Sequence, residues 1–495
     1  IDVAAGKNFV VGTNSTFTLN AGSAITGAGL FHVQDATLTV NAAVSATNVL
    51  LTRVNNGIIN GTGALTITGG LDWGGGFIST NVVLASGSVS GMTSGHPELG
   101  FGAGGLLTNN GTFNWVVGNI RGFGGTFSNG AGGLLNVQST GNFTNEIAPN
   151  AFNNAGLLAM NNAPGTTTIT VASSNAGTIK GVGGLNYTNT FTNTATIAPG
   201  TSPGILTMNG AEPFSPTSTL QIEMLNGSGA GTGHDQLQRN SNLTLDGILT
   251  VMQTGSVPYG TYTIISLSSG TISGSFSTVN LPAEYTLQVN STTVDLVKSP
   301  PSSAPTHYFR SIATGDWATP ATWESSAASD FSSGVINPAT LAPDNASSGT
   351  TIRNGHNVSL TTSVTTDQTI VDAGGTLTHT GFLTLANGAG DDLTVDGTWD
   401  WNSGQLNNPG NAVVSASGTL NVSTSNGKAL ATSLTNSGNF NWQDGTISTF
   451  NTPTITNSGT WTITGNNAIT FGNTYGLVVN SGTITKTSSG TTDLT

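Results

Sequence analysis

Cysteine is absent from this chain of 495 residues, which excludes disulfide bonds, thiolate metal sites and cysteine nucleophiles. Charged residues are also scarce: they make up 7% of the sequence, where an ordinary soluble domain has about 25%. Surface helices draw on Glu, Lys and Arg for helix propensity and for charge pairs one turn apart, so the composition argues against a helical enzyme. No segment approaches the run of about 20 apolar residues that a membrane-spanning helix needs, and membrane insertion is not expected.

Positive charge is especially scarce. The chain has 10 Lys and Arg residues against 23 Asp and Glu residues, which gives a net charge of −13 and leaves no basic patch for phosphate groups. The sequence therefore excludes nucleic acid as a partner. Glycine is abundant, with 69 residues, and 36% of all positions are hydrophobic, so the chain can still bury a core. The first residues include neither Met nor a basic segment, so we expect any export signal to have been removed or to lie upstream.

A short segment recurs through the last third of the sequence. Each copy consists of Gly, any residue, an apolar residue, a polar residue and a fifth residue that would point to the same side of a strand as the apolar one. Successive copies are 22, 21, 20, 21 and 23 residues apart. Period-two alternation predicts a strand with one buried face, and this spacing is too short for βαβ units and too regular for a sandwich. The sequence therefore predicts an all-β fold, a parallel β-solenoid (β-helix) with about 21 residues per coil and with Gly and Asn in left-handed conformations at its corners. The copies begin at Gly375, Gly397, Gly418, Gly438, Gly459 and Gly482.

Four of the eight tryptophans share one sequence frame. Each has an aromatic residue or Leu two positions before it and Gly three positions after it. Because the tryptophan shares strand parity with that apolar residue, the frame favours interior stacking of the rings in the core. An exposed platform for stacking sugars is the alternative. The four residues are Trp73, Trp115, Trp401 and Trp442.

The repeat pattern divides the chain into five parts. Residues 1–205 and 346–495 follow the solenoid pattern, whereas residues 206–298 contain longer alternating runs and predict an irregular β module, either solenoid-terminal, sandwich-like or made of distorted coils. Residues 299–306 form a Pro- and Ser-rich linker, and residues 307–345 form a loop-rich segment that leads into the second solenoid. Both ends of the sequence resemble interior repeat segments and lack polar capping units, so we expect the chain to be a segment of a longer protein.

Two sets of segments resemble known bacterial surface proteins. Residues 198–206 and 234–237 are similar to a module near the end of the solenoid passengers of autotransporter-like proteins. Residues 308–311, 315–317 and 352–358 resemble the opening segment of large repetitive surface proteins of Bacteroidota. The resemblance implies a β-solenoid, export by the type IX route, a location at the bacterial cell surface or outside the cell, and a role as an adhesin or surface fibre.

Two groups of residues are candidates for binding. Asp391, Asp392 and Asp396 lie close in sequence and could supply carboxylate oxygens to Ca²⁺, but they lack the alternating pattern and the downstream Glu of a calcium loop. We therefore expect no metal site and no cofactor, and interpret these residues as solvated charges at strand edges. Trp317 and Trp323 lie outside the repeat and are the candidates for contact with a ligand, although their position favours a local staple that closes their own loop.

No residue pattern points to catalysis. The histidines are separated in sequence without metal-ligand spacing, and no nucleophile elbow with a following helix is present. We expect a secreted, non-enzymatic structural or adhesive segment that forms an elongated rod or fibre stalk, with glycans or cell-surface components as partners and with self-association into fibres. The alternative is a carbohydrate-binding or polysaccharide-cleaving β-helix protein, which would need an open groove lined by Trp or by Asp with Arg. The histidines are His32, His96, His234, His307, His356 and His379.

Overall fold

The structure, a computed structural model, describes residues 1–52, 57–92 and 104–494. The chain divides into two compact units, Ile1–Pro300 and Pro301–Thr495, which we call unit 1 and unit 2. Apart from one short 3-10 helix, Pro320–Thr322, every regular element in the described ranges is a β-strand. Within those ranges no helix has the length and apolarity that crossing a membrane requires.

Unit 1 consists of strands joined by turns. Its long strands contribute to two neighbouring ladders, whereas most of the others have two to six residues, as expected for one side of a solenoid coil. The strands are β1 (Asn8–Val11), β2 (Thr16–Leu19), β3 (Ala24–Ile25), β4 (Leu30–Gln34), β5 (Thr37–Val40), β6 (Val44–Thr52), β7 (Ile58–Asn60), β8 (Ala64–Trp73), β9 (Phe77–Ile78), β10 (Asn81–Leu84), β11 (Val89–Met92), β12 (Leu106–Asn109), β13 (Thr112–Trp115), β14 (Ile120–Phe123), β15 (Thr126–Asn129), β16 (Leu134–Val137), β17 (Asn142–Ile147), β18 (Ala151–Asn154), β19 (Leu157–Ile169), β20 (Ala172–Asn175), β21 (Thr178–Tyr187), β22 (Phe191–Asn193), β23 (Thr196–Pro199), β24 (Ile205–Gly210), β25 (Thr219–Met224), β26 (Gln236–Arg239), β27 (Leu243–Leu245), β28 (Ile248–Gln253), β29 (Gly260–Leu267), β30 (Ile272–Gly274), β31 (Thr278–Asn280), β32 (Tyr285–Val289) and β33 (Thr293–Lys298).

Unit 2 has the more regular order of strands. From β37 onward, each coil supplies one strand in turn to each of three sheets. The strands are β34 (Tyr308–Ser311), β35 (Gly315–Asp316), β36 (Trp323–Ser326), β37 (Gly349–Ile352), β38 (Asn357–Leu360), β39 (Val364–Thr366), β40 (Thr369–Val371), β41 (Thr376–His379), β42 (Phe382–Leu385), β43 (Leu393–Val395), β44 (Thr398–Trp401), β45 (Gly404–Asn407), β46 (Ala412–Val414), β47 (Thr419–Val422), β48 (Lys428–Leu430), β49 (Leu434–Asn436), β50 (Asn439–Trp442), β51 (Ile447–Thr449), β52 (Thr454–Asn457), β53 (Thr460–Ile463), β54 (Ile469–Phe471), β55 (Leu477–Asn480) and β56 (Thr483–Lys486).

The three sheets of unit 2 have nine, eight and six strands, and the eight-stranded sheet contains the predicted repeat. Its strands pair in parallel, and between the six predicted copies the paired residues are 20 to 23 positions apart, from Thr419 with Asn439 to Thr460 with Thr483. Each predicted copy forms a strand that begins directly after its glycine. The chain is a parallel β-solenoid, so the predicted fold class is confirmed.

The six repeat glycines are required for a reason that the sequence did not indicate. Their backbone is not in the left-handed region, which in unit 2 is adopted by turn glycines such as Gly374 and Gly445. Instead, the chain passes very close to the preceding coil. A Cβ atom added to Gly438 would lie 2.2 Å from the carbonyl oxygen of Ser415 and 2.4 Å from that of Gly418. Glycine therefore recurs because adjacent coils leave no room for a methyl group.

The parallel ladder of unit 1 does not end at residue 205. Leu220 in β25 pairs with Leu249 in β28, and Leu249 pairs with Val279 in β31, so these coils span 29 and 30 residues. The shorter period is lost because the turns lengthen, while the strands continue to stack. β33 then runs antiparallel to both β29 and β32. Residues 206–298 are thus elongated coils followed by an antiparallel closure.

Residues 307–345 form the first part of unit 2 around β34. This strand pairs antiparallel with β36 on one side and parallel with β37 on the other. Part of the predicted linker is fixed to this region, because Ser303 donates its backbone N–H to Thr340 Oγ1 and accepts the Thr340 N–H on its own hydroxyl, both at 2.8 Å. The loop-rich segment is therefore held by the sheet that it precedes.

Interior side chains stack in columns along the solenoid. In unit 2, Leu360, His379 and Trp401 occupy equivalent positions in successive coils, and so do Phe440 and Trp461. The His379 and Trp401 rings are almost parallel with centroids 5.6 Å apart, and those of Phe440 and Trp461 are 4.7 Å apart. Because parallel, in-register coils repeat every strand position, one aromatic residue per coil becomes a continuous stack.

A second interior column consists of asparagines at the ends of strands in unit 1. Each amide nitrogen donates to the amide oxygen of the next asparagine, at 2.6 to 2.8 Å, and every side chain in the column is buried. The column satisfies its polar groups internally, as buried amides require. Its members are Asn109, Asn129, Asn154, Asn175 and Asn193.

The substitution Asn154→Ala should lower the free energy of unfolding of unit 1 by about 2 kcal/mol, because the Asn175 carbonyl and the Asn129 amide each lose a buried partner. Chemical denaturation followed by far-UV circular dichroism measures this change. Asn153→Ala is the matched control, since Asn153 lies on the outer side of the same strand and should change stability by no more than about 0.5 kcal/mol. Equal effects of the two variants would contradict a role for the amide column.

Candidate functional site

The four tryptophans of the common frame are buried and do not form a surface platform. Trp73, Trp401 and Trp442 are completely inaccessible to solvent, and Trp115 is 2% exposed. The frame has a structural explanation at two of its copies. The indole N–H of Trp115 donates to the carbonyl oxygen of Gly118 at 2.9 Å, and Trp442 does the same to Gly445 at 3.1 Å.

The glycine in that frame turns the chain so that its carbonyl oxygen meets the indole. Gly118 and Gly445 have φ angles of 81° and 80°, in the left-handed region that favours glycine. At these two copies the frame encodes a buried ring and the turn that satisfies its only polar atom, whereas the indole nitrogens of Trp73 and Trp401 are buried without a hydrogen-bond partner among the described residues.

The proposed ligand-contact residues Trp317 and Trp323 are also buried. They are 2% and 0% exposed, and their rings contact each other edge to face with centroids 5.2 Å apart. Trp323 Nε1 donates to the Trp317 carbonyl oxygen, and Trp317 Nε1 donates to that of Pro343. This arrangement matches the local staple that the sequence favours, and solvent does not reach the two rings for direct contact with a ligand.

The three aspartates of the acidic cluster have different environments. Asp392 is buried, and its carboxylate accepts the backbone N–H groups of Gly388 and Asn411 at 3.1 and 2.7 Å. Asp391 is exposed, and Asp396 is half-buried. In the part of the chain that the structure describes, no three His, Asp or Glu side chains converge as metal ligands.

Asp392 also affects a carboxyl group one coil earlier. Burial and the adjacent Asp392 carboxyl group raise the pKa of Asp367. Burial likewise raises the pKa of Asp372, to which the Asp396 charge adds. Asp392 is therefore a turn-holding residue, and the interpretation of all three aspartates as solvated edge charges does not apply to it.

Most of the histidines have structural contacts, whereas His96 lies outside the described residues. His379 is inaccessible inside the aromatic stack, and burial lowers its pKa to about 4. Ser311 Oγ lies 2.8 Å from His356 Nδ1, which is the spacing of a nucleophile and its base. However, Ser311 is completely buried and its oxygen already accepts the Arg353 backbone N–H, so a substrate has no access to it.

Asp235 lines a small cavity of about 100 Å³ in unit 1 together with Glu223 and Lys180. Burial raises the pKa of Asp235 to about 6, although the backbone N–H groups of Glu223 and Gly204 donate to its carboxylate and act in the opposite direction. The neighbouring His234 is buried too, and this lowers its pKa. A carboxylic acid with a raised pKa beside a second carboxylate, at a cavity, resembles a glycosidase pair.

A larger and more open cleft lies in unit 2, with a volume of about 400 Å³. We call it the unit 2 cleft. Its floor is the outer side of strands β34, β37, β40 and β43, and one wall is the loop that follows β36. The residues that define its chemistry are Tyr308, Phe331, Thr351, Gln368, Ile370 and Asp391.

The Phe331 wall of the cleft is held by a network of charged groups. The Arg310 guanidinium lies 4.1 Å from the centre of the Phe331 ring and donates from Nε to Glu324 Oε1 at 2.5 Å. Glu324 is only 5% exposed, and its other oxygen accepts the Asn337 amide at 2.9 Å. A second cation, Arg353, approaches Glu324 to 3.6 Å. The ring is therefore positioned by a buried carboxylate, and its position does not depend on loop packing alone.

Two residues of the cleft have strained backbones. Phe331 and Gln368 have φ angles of 56° and 46°, in the left-handed region, which is a rare conformation for a bulky side chain. Such strain costs on the order of 1–3 kcal/mol per residue and concentrates at binding sites. Both residues line the same cleft, on segments that are more than 30 positions apart in sequence.

The opposite side of the cleft offers polar groups. Gln368 donates its amide to the Ala389 carbonyl oxygen at 2.9 Å, which fixes the side chain and leaves Oε1 for another donor. Asn411 donates to one oxygen of the exposed Asp391 at 3.0 Å. Ile370, which is 41% exposed, adds an apolar side chain to the lining. The cleft thus combines ring faces with fixed acceptors.

Unit 1 has a groove of similar size, about 450 Å³, but with different chemistry. Its lining is rich in glycine, including Gly29, Gly70 and Gly91, and contains no aromatic ring. At Gly29 and Gly70 a Cβ atom would meet backbone oxygen atoms at 2.3 and 2.2 Å, so these glycines are explained by coil packing. The unit 2 cleft is the stronger candidate site.

Comparisons with known proteins assign no family to the chain. No protein-family model and no curated protein matches it. Among solved structures, a TibC-catalysed, hyper-glycosylated TibA fragment aligns with 100% of this chain and 97% of its own, with 10% sequence identity and a TM-score of 0.12. A TM-score this low shows no common superposition, so the fold assignment depends on the strand pairing described above.

Sequence reasoning did not find the unit 2 cleft, apart from Asp391. Its residues come from segments that are separated by up to about 80 positions, and none of them forms a motif. One pattern could have indicated it. Arg310 and Glu324 carry opposite charges on two short neighbouring segments, and they are direct cross-strand partners once those segments pair as a hairpin.

Proposed function

We propose that this chain is a secreted, non-enzymatic structural and adhesive segment of a bacterial cell-surface protein. The observation that supports this most directly is the parallel pairing of successive coils along most of each unit. The eight strands of the eight-stranded sheet of unit 2 are separated by seven inter-strand spacings of about 4.8 Å, which give a stack about 34 Å long. Every step is held by backbone hydrogen bonds along the stacking axis, so a load is shared among many bonds.

The outer side of that eight-stranded sheet is suited to a hydrated surface. In the six strands β41, β44, β47, β50, β53 and β56, its outward positions carry hydroxyl and amide groups and a single charge, that of Asp400. Asp316 in β35 adds a second outward charge at the start of the sheet. Low charge density over a regular face favours self-association into fibres more than the binding of a polyelectrolyte. The positions are Thr376, Thr378, Thr398, Asp400, Thr419, Asn421, Asn439, Asn441, Thr460, Thr462, Thr483 and Thr485.

Location and export route belong to the same proposal. The resemblance of residues 308–311, 315–317 and 352–358 to surface proteins of Bacteroidota supports an extracellular or cell-surface location and export by the type IX route. The partners that fit this location are glycans and other components of cell surfaces.

Immunogold electron microscopy with an antibody against this chain tests the proposal. We expect gold particles on intact cells of the source bacterium, and loss of the label after brief treatment of those cells with an external protease. A matched sample of permeabilised cells shows how much antigen lies inside. Labelling that requires permeabilisation would overturn the surface role.

Polysaccharide cleavage is the second candidate function, and the Asp235 cavity is the observation that favours it. The purified chain is incubated with a panel of algal and bacterial polysaccharides, and reducing ends and unsaturated products are measured. We expect no turnover. Turnover that Asp235→Asn abolishes and Asp246→Asn preserves would replace the non-enzymatic proposal.

A further inference from the structure

We propose that the unit 2 cleft binds an uncharged oligosaccharide through the ring faces of Phe331 and Tyr308 and the acceptors of Gln368 and Asp391. This inference rests on the proposed adhesive function and names its ligand class and its site. The lining of the cleft, its backbone strain and the network behind Phe331 support this assignment.

The lining matches the chemistry of a sugar ring. A pyranose has an apolar face of C–H groups and an edge of hydroxyls, so it fits a site where an aromatic face lies beside amide and carboxylate acceptors. Half-buried Phe331 and Tyr308 supply the faces, and exposed Asp391 and Gln368 supply acceptors for hydroxyl donors. A volume of about 400 Å³ is within the range of small-molecule sites.

The charges around the cleft exclude a polyanionic ligand. Asp391 is the one charged residue of the lining, and its carboxylate would repel uronic acids or sulfated sugars. The nearest cation of the wall, Arg310, is engaged by Glu324 and by the Phe331 ring. An uncharged ligand meets neither repulsion nor a competing ion pair.

A peptide is a poorer fit than a sugar. Peptides commonly bind a sheet by adding a strand to a free edge. Strands β34, β37, β40 and β43, which form the floor, are each paired on both sides, so the cleft presents no free edge. Recognition must then depend on the side chains that point out of the sheet.

The strained backbone of Phe331 favours a role in binding over a purely structural role. A ring that served stability alone would be better placed on a relaxed backbone, since the left-handed conformation is costly for phenylalanine. Here the ring is held in that conformation by Arg310 and, behind it, by the buried Glu324. Such a wall is pre-organised for a ligand, which lowers the cost of binding.

The test is titration of the purified full chain with uncharged gluco-, manno- and galacto-oligosaccharides, followed by calorimetry and saturation-transfer NMR. Oligogalacturonate is the charged comparison. We expect at least one uncharged series to bind with a Kd at or below about 1 mM, and oligogalacturonate to bind at least tenfold more weakly. Failure of every uncharged series to bind, or preference for the charged one, would overturn the inference.

Two variants locate the site. Phe331→Gly removes the ring and relieves the strained backbone, so affinity should fall about tenfold while the melting temperature stays within about 2 °C of the native value. Asp391→Asn should weaken binding about threefold without altering the fold. The matched control is Phe382→Ala, because Phe382 is 52% exposed in unit 2 but lies on a different sheet.

Unchanged affinity in both Phe331→Gly and Asp391→Asn, or an equal loss in Phe382→Ala, would place binding elsewhere and refute the assignment. These measurements use purified protein, so their outcome does not depend on cellular location. If immunogold labels the cell surface but the purified protein binds no oligosaccharide, this inference alone is refuted. If the purified protein binds an oligosaccharide but immunogold finds the protein only inside cells, the adhesive function alone is refuted.

Discussion

The substitution Gly438→Ala is expected to lower the free energy of unfolding of unit 2 by about 3 kcal/mol. The added methyl group would lie 2.2 Å from the Ser415 carbonyl oxygen and 2.4 Å from that of Gly418. Both atoms belong to the backbone of the preceding coil and cannot rotate away. Separating the coils would also lengthen the bond from the Asn439 N–H to the Gly418 oxygen, now 3.0 Å.

Denaturant unfolding followed by tryptophan fluorescence measures this loss, since six of the eight tryptophans belong to unit 2. Gly427→Ala is the matched control. Gly427 lies in the same unit, has no left-handed φ angle, and would place its Cβ no closer than 3.8 Å to another atom. Its replacement should leave stability within about 0.5 kcal/mol of the native value. A neutral effect of Gly438→Ala would show that the coils do not approach as closely as described.

Acidification from pH 7 to pH 4 should remove roughly 3 kcal/mol of stability from unit 2 through His379 alone. The ring lies between Leu360 and Trp401 in the interior column, and its Nε2 is 3.0 Å from the Gly381 carbonyl oxygen. This contact requires a proton on Nε2, so the neutral ring carries none on the buried Nδ1, which has no hydrogen-bond partner. Protonation of Nδ1 would therefore place an unpaired charge in the core.

The direction of the pH dependence follows from the pKa of His379. Burial lowers this pKa from 6.5 to about 4, so between these values the unfolded chain binds more protons than the folded one. Stability from this group is therefore fully present above about pH 6.5 and is lost as the pH falls toward 4. Asp367 and Asp372, whose pKa values are raised, act in the opposite direction over part of the same range.

Comparison with His379→Phe separates these effects. Phenylalanine retains an aromatic ring in the column but cannot titrate. On acidification from pH 7 to pH 4, the loss of stability should therefore be roughly 3 kcal/mol smaller in the variant than in the native chain. Denaturant midpoints at several pH values between 7 and 4 supply the measurement. Parallel pH profiles for the two proteins would be inconsistent with a neutral, buried His379.

The sequence by itself determined the local and periodic features of this protein. Strand alternation and the spacing of glycines from Gly375 to Gly482 predicted the strands, their parallel stacking and the coil length. Strand parity placed Trp115 and Trp401 toward the interior. These features are predictable because a side-chain period of two and an in-register repeat are properties of the chain itself, and stacking only repeats them.

The tertiary structure alone decided the features that depend on distant segments. Coils of 29 and 30 residues continue the ladder beyond residue 205, because turns of any length can join strands that remain in register. Trp317 and Trp323 are buried because each packs against the other and donates to a carbonyl of its own loop. The unit 2 cleft joins Phe331 and Asp391, which no local pattern connects, since only stacking of the coils places them on one face.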